Sequence, residues 1–176
     1  MTAIIKINPM RFPERAGARR VAIMLAVALA TTAFAQSAVA GALGFLKGTW
    51  RGGGSLVLDS GKREKIRCHV KIDVTLGGTK AVQTMRCAST GRDVFVESQM
   101  IVTGQAITGN WRNTVSGENG SLNGATKGQD LKLRLSGPAV SANLRAKVAG
   151  KRQSLEISGQ IGPVRSMTVS LMRLNL

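Results

Sequence analysis

Cys68 and Cys87 are the only cysteines of this 176-residue chain, and His69 is its only histidine. Three chemistries suit such a set: a disulfide, a metal site, or nucleophilic catalysis. A metal site wants more ligands at closer spacing. No CxxC is present, and on an extended strand His69 points away from Cys68, because successive side chains alternate between faces. Nucleophilic catalysis wants a base held beside Ser or Cys, and no spacing here supplies one. Asp73, Asp93 and Glu97 could meet as paired carboxylates, yet strand acids are ordinarily solvated, and nothing marks these as tuned for general acid–base work. Haem would need an axial ligand; His69 faces outward, and Met85, Met100 and Met167 read as core filler. The expectation is a bridge between Cys68 and Cys87, no metal, no cofactor and no enzyme.

The elements that must position these cysteines are strands. Ile66, Cys68, Val70, Ile72 and Val74 alternate with Arg67, His69, Lys71 and Asp73, giving one apolar and one charged face. Leu131, Leu133 and Leu135 alternate with Lys132 and Arg134. Val140, Ala142, Leu144, Ala146 and Val148 alternate with Ser141, Asn143, Arg145 and Lys147. Gly, Pro or Asn interrupts the pattern every eight to twelve residues, as in a sandwich or barrel.

Turns set register. A hairpin centred on Gly77-Gly78 puts Cys68 opposite Cys87, Val70 opposite Met85 and Val74 opposite Ala81. Directly opposed residues lie within the separation a disulfide tolerates. The turn and the cysteines thus agree independently. A second hairpin at Thr103-Gly104 would pair Val96 with Trp111 and Met100 with Ile107. A third at Ala149-Gly150 would pair Leu144 with Leu155 and Ala142 with Ile157. The fold expected is all-β: a small antiparallel up-and-down barrel of eight to ten strands, the last near Val164 to Leu174. Closure is favoured because sequential hairpins otherwise leave open edges. Asn113 to Gly128, rich in Gly and Asn, reads as a long loop plus one short strand. Gly52-Gly53-Gly54 has no following helix or Gly-Lys-Ser/Thr to make a phosphate loop, and reads as a bulge in the first strand.

The first 40 residues differ from the rest. Lys6, Arg11, Arg15, Arg19 and Arg20 precede an apolar run from Val21, which ends in Ala33-Phe34-Ala35 and Ala38-Val39-Ala40. This reads as a secretory signal peptide cleaved after Ala35 or Ala40. The alternative, a membrane anchor, needs roughly 20 apolar residues, and the strongly apolar stretch is only ~10–15. Residues 41–176 then form one domain, exported to the periplasm, where paired cysteines oxidise. That domain keeps 20 Lys and Arg against 8 Asp and Glu, a net charge near +12. Such a balance favours anionic partners. Nucleic acid is not among them, since binding single strands wants stacking aromatics and only Phe45, Phe95, Trp50 and Trp111 remain.

Gly48-Thr49-Trp50-Arg51-Gly52, at the entrance of the first strand and ahead of a meander of hairpins, resembles the calycin group: lipocalins, avidin-like proteins and small bacterial metalloprotease inhibitors. The resemblance implies that Trp50 packs across the closed barrel end against a basic residue of the last strand, here Arg173. Trp111, in Gly109-Asn110-Trp111-Arg112, reads as a second core-capping tryptophan. Likeness to the inhibitor branch implies an interaction segment before Gly48, with Leu43, Phe45 and Leu46 as its contacts. Gly41 to Leu46 also suits a short turn plugging one end. Arg67, Lys71, Arg86, Lys132 and Arg134 are candidate contacts to an anionic surface. Two functions follow: an envelope barrel binding a small apolar or amphipathic ligand, or a protein-interaction module such as a periplasmic protease inhibitor. The partner expected is a small apolar ligand, an anionic envelope lipid or a periplasmic protein, and the protein a monomer. Small inward residues at Ala81, Ala142 and Ala146 leave room for a ligand.

Overall fold

Ten antiparallel strands carry the alternation in the computed structural model, which describes residues 42–175. The expected signal peptide, with both cleavage patterns, lies outside the described residues. The strands are β1 (Gly48–Leu58), β2 (Arg63–Thr75), β3 (Lys80–Ala88), β4 (Asp93–Thr103), β5 (Ala106–Asn113), β6 (Asn119–Lys127), β7 (Asp130–Gly137), β8 (Val140–Ala149), β9 (Arg152–Ile161) and β10 (Val164–Arg173). Each pairs with the next and β10 returns to β1, so the sheet closes and leaves no edge. The expected up-and-down barrel is present, with ten strands.

The register of the first hairpin holds. Cys68 faces Cys87, Val70 faces Met85 and Val74 faces Ala81, and the cysteines are bridged. The connection is a loop of residues 76–79, not a two-residue turn. Because it is symmetric about Gly77-Gly78, the pairing is the same.

The other two hairpins are displaced by two residues. Met100 faces Gly109 and Val96 faces Asn113; Leu144 faces Ile157 and Ala142 faces Gly159. The cause is where glycine sits in the turn. Gly104 and Gly150 hold the first central position at φ of 63° and 59°, followed by Gln105 and Lys151 at negative φ. This is the type II′ pattern, which wants glycine first. The expected pairings had placed glycine second. A two-residue shift preserves which face each side chain takes, so the core survives the error.

Two further expectations need correction. The Asn- and Gly-rich stretch forms β6, nine residues long, after a short loop of residues 114–118. Gly120 faces the interior: a Cβ there would lie 1.9 Å from the Ser136 carbonyl and 2.9 Å from the Trp111 ring. Glycine here makes space inside a strand and does not break it. Gly52-Gly53-Gly54 pairs regularly with Leu171, Ser170 and Val169, and the bulge falls instead at Val57/Leu58 against β10. A Cβ on Gly54 would meet the Thr168 carbonyl at 1.8 Å, and one on Gly52 the Ser170 carbonyl at 1.9 Å. These glycines let β1 close against β10, and neither accepts a side chain without parting the seam.

The barrel has one sealed end and one mouth. The loop at residues 76–79 and the turns at Gly104, Gly128 and Gly150 share the sealed end with the 3₁₀ turn Gly44–Leu46. There Trp50, Leu43, Val169 and Ala81 are wholly enclosed. The loops after β1, β3, β5, β7 and β9 ring the mouth. Near it Met85, Val96, Leu135, Leu144, Val164 and Met167 are only partly buried although they pack on the core.

Candidate ligand-binding cavity

Those half-accessible apolar side chains line a cavity of about 500 Å³ inside the barrel. This lies within the range of small-molecule pockets, about 300–1,000 Å³. Leu133, Leu155 and Met100 carry it toward the sealed end, where Leu46 contributes to its floor. Strand alternation explains its greasiness, since each of these side chains occupies an inward position. Among the described residues the charged groups that reach it are Arg92, Asp93 and Glu118, all at the mouth.

The mouth is stitched by polar contacts. Ser89 Oγ donates to Glu64 Oε2 at 2.9 Å, tying the loop after β3 to β2, and Lys62 Nζ lies 3.4 Å from Glu64 Oε1. The Ser89 hydrogen bond, with Lys62, outweighs desolvation and holds the Glu64 carboxyl below its ordinary range. Asn113 Oδ1 accepts from the Val115 amide at 3.0 Å, shaping the loop after β5.

The sealed end is fastened by one cluster. Trp50 Nε1 donates to the Leu46 carbonyl at 2.9 Å. The Arg173 guanidinium lies 4.4 Å above the Trp50 ring and donates through Nη2 to the Phe45 carbonyl. Leu43 and Leu46 sit in the core and Phe45 is half-buried. Of the three residues of the candidate interaction segment, Leu43 and Leu46 are thus core residues of the short turn that plugs this end, and Phe45 is the one partly accessible. Trp111 does not share this end. It stands on β5 opposite Ser98, with its ring against Gly120 and Gly137, and lines the cavity.

The disulfide lies on the inner wall, with Cys68 and Cys87 both buried. His69 is on the outer face and exposed. Asp73 pairs with Lys71 at 3.3 Å and Glu97 with Arg112 at 2.7 Å, while Asp93 stands at the mouth; the three acids are not brought together. Arg67, Lys71, Arg86, Lys132 and Arg134 are exposed on the outer faces of β2, β3 and β7. Arg51, His69 and Arg86 stand directly opposite one another across β1, β2 and β3.

Sequence reasoning missed the polar residues of the interior. Gln83, Ser98 and Gln153 all line the cavity. The available signal was a polar residue on an apolar stripe, as in Gln153-x-Leu155-x-Ile157.

Fold and cavity together define a closed ten-stranded antiparallel up-and-down barrel with an apolar interior. Its likeness to solved structures agrees. Rv2717c from M. tuberculosis superposes with a TM-score of 0.62 at 16% identity, over 76% of this chain and 96% of that one. The S-type phycobiliprotein lyase CPES from Guillardia theta gives 0.53 at 11% identity, over 76% and 91%. At these identities the likeness is one of fold. No protein-family model and no curated protein matches the chain.

Proposed function

We propose that this chain is a non-catalytic periplasmic barrel that carries a small apolar or amphipathic molecule in its interior. The observation that carries the reading is the cavity, lined by apolar side chains that the protein itself leaves half-covered in the mouth half of the barrel. A packed core hides such groups fully. The leader-like first 40 residues and the Cys68–Cys87 bridge support export to an oxidising compartment. Between the two functions drawn from the sequence, the burial of Leu43 and Leu46 favours the carrier over an inhibitor acting through its N-terminal segment.

The neutral fluorophore N-phenyl-1-naphthylamine tests this reading. It should bind the residue 41–176 protein with enhanced, blue-shifted emission. Ala146 lines the cavity, and Ala146→Phe should fill the space and abolish the signal without lowering the melting temperature by more than a few degrees. Undiminished emission from a folded Ala146→Phe protein would move the site elsewhere.

A further inference from the structure

The interior polar groups restrict what the cavity accepts. Gln153 is 3% exposed and lies near the sealed end, opposite Leu171 on one side and Val148 on the other. It lines the cavity, yet its Oε1 has no hydrogen-bond partner among the described residues. A buried amide oxygen left so is costly, and nearly all such groups are satisfied in folded proteins. On the opposite side of the barrel Gln83 and Ser98 are direct cross-strand neighbours on β3 and β4. Ser98 is 9% exposed, and both line the cavity. Directly opposed inward side chains are about 5 Å apart at Cβ, close enough to contact one ligand group together. Among the described residues nothing ionisable accompanies them inside. Arg92, Asp93 and Glu118 are confined to the mouth, and Arg173 is engaged beyond the cavity floor with Trp50 and Phe45.

Resting on the proposed carrier reading, we infer that the cavity selects an uncharged amphiphile: a largely apolar molecule with a hydroxyl set within its body to donate to Gln153 Oε1, and a second hydroxyl or carbonyl within reach of the Gln83–Ser98 pair. An ionised head on such a molecule belongs at the mouth. A buried carboxylate would be desolvated with no interior cation to offset the cost. A pure hydrocarbon would leave the Gln153 amide unsatisfied.

Three probes of one shape separate these cases by titration calorimetry at pH 7.5: 1-(2-naphthyl)ethanol (neutral alcohol, a donor), 2-isopropylnaphthalene (apolar) and 2-naphthoate (anion). The wild-type protein should bind the alcohol at least 10-fold more tightly than the carboxylate. The combined variant Gln153→Leu/Ser98→Ala nearly keeps volume while removing these two polar groups. It should weaken the alcohol about 3- to 10-fold relative to the isopropyl analogue, the scale of one neutral hydrogen bond. Equal binding of alcohol and carboxylate to the wild type, which needs no variant, overturns the inference. So does a combined variant, folded by its thermal melt, that affects alcohol and isopropyl analogue alike. Binding of none of the three removes the carrier reading itself, and this inference with it.

Discussion

Trp50→Ala should destabilise the protein by about 3–5 kcal/mol, the range for losing a large aromatic from a filled core. Trp50 is wholly enclosed and stands between Val70 on β2 and Arg173 on β10. Its loss does more than leave a cavity. The Leu46 carbonyl loses its indole donor and the Arg173 guanidinium loses the ring beneath it. The 3₁₀ turn that seals the barrel is then held chiefly by the Leu43 amide on the Gly78 carbonyl and by Arg173 on Phe45. Urea denaturation should show the loss as a lower midpoint with an unchanged slope. Trp50→Phe, which keeps a ring but removes the indole N–H, should cost less than the alanine change. A loss below about 1 kcal/mol for Trp50→Ala would mean that the plug is not fastened through this residue.

Opening the Cys68–Cys87 bridge should cost about 2–4 kcal/mol. The separation of 19 residues closes a loop of the size for which the chain-entropy model gives roughly 3 kcal/mol. The bridge joins neighbouring strands, so its removal leaves the ladder between them in place and acts mainly on the unfolded chain. The pair Cys68→Ala/Cys87→Ala should fold to the same barrel with a lower urea midpoint. Wild type in reductant should match the variant, and without reductant the denatured wild type should react with no thiol reagent. Equal midpoints with and without reductant would show that the hairpin register alone fixes this part of the sheet.

Much of the fold was legible because β2 announces itself. Its four central inward positions are apolar and its outward ones charged, so face and extent follow from the residues alone. The cysteine register was legible for a second reason: an error in turn type at residues 76–79 cancels by symmetry. The same reasoning slipped at Gly104 and Gly150, where one glycine per turn leaves its position in the turn undetermined by composition. β6 was hidden because glycines chosen for room around Trp111 look, in sequence, like loop glycines. The cavity was the least legible part. A cavity is a property of closure, set by how ten inward stripes meet, and no single strand records it. Gln153 and Ser98 acquire meaning only when the opposite walls are known.

Native mass spectrometry of the protein purified gently from its native cells tests the central claim, that the barrel carries a molecule in its apolar interior. The expected spectrum is a monomer with additional mass, lost when the protein unfolds, from a compound that carries no charge within its apolar body. A bare chain, lighter by two hydrogens for the Cys68–Cys87 bridge and unchanged by added apolar compounds, would contradict the account.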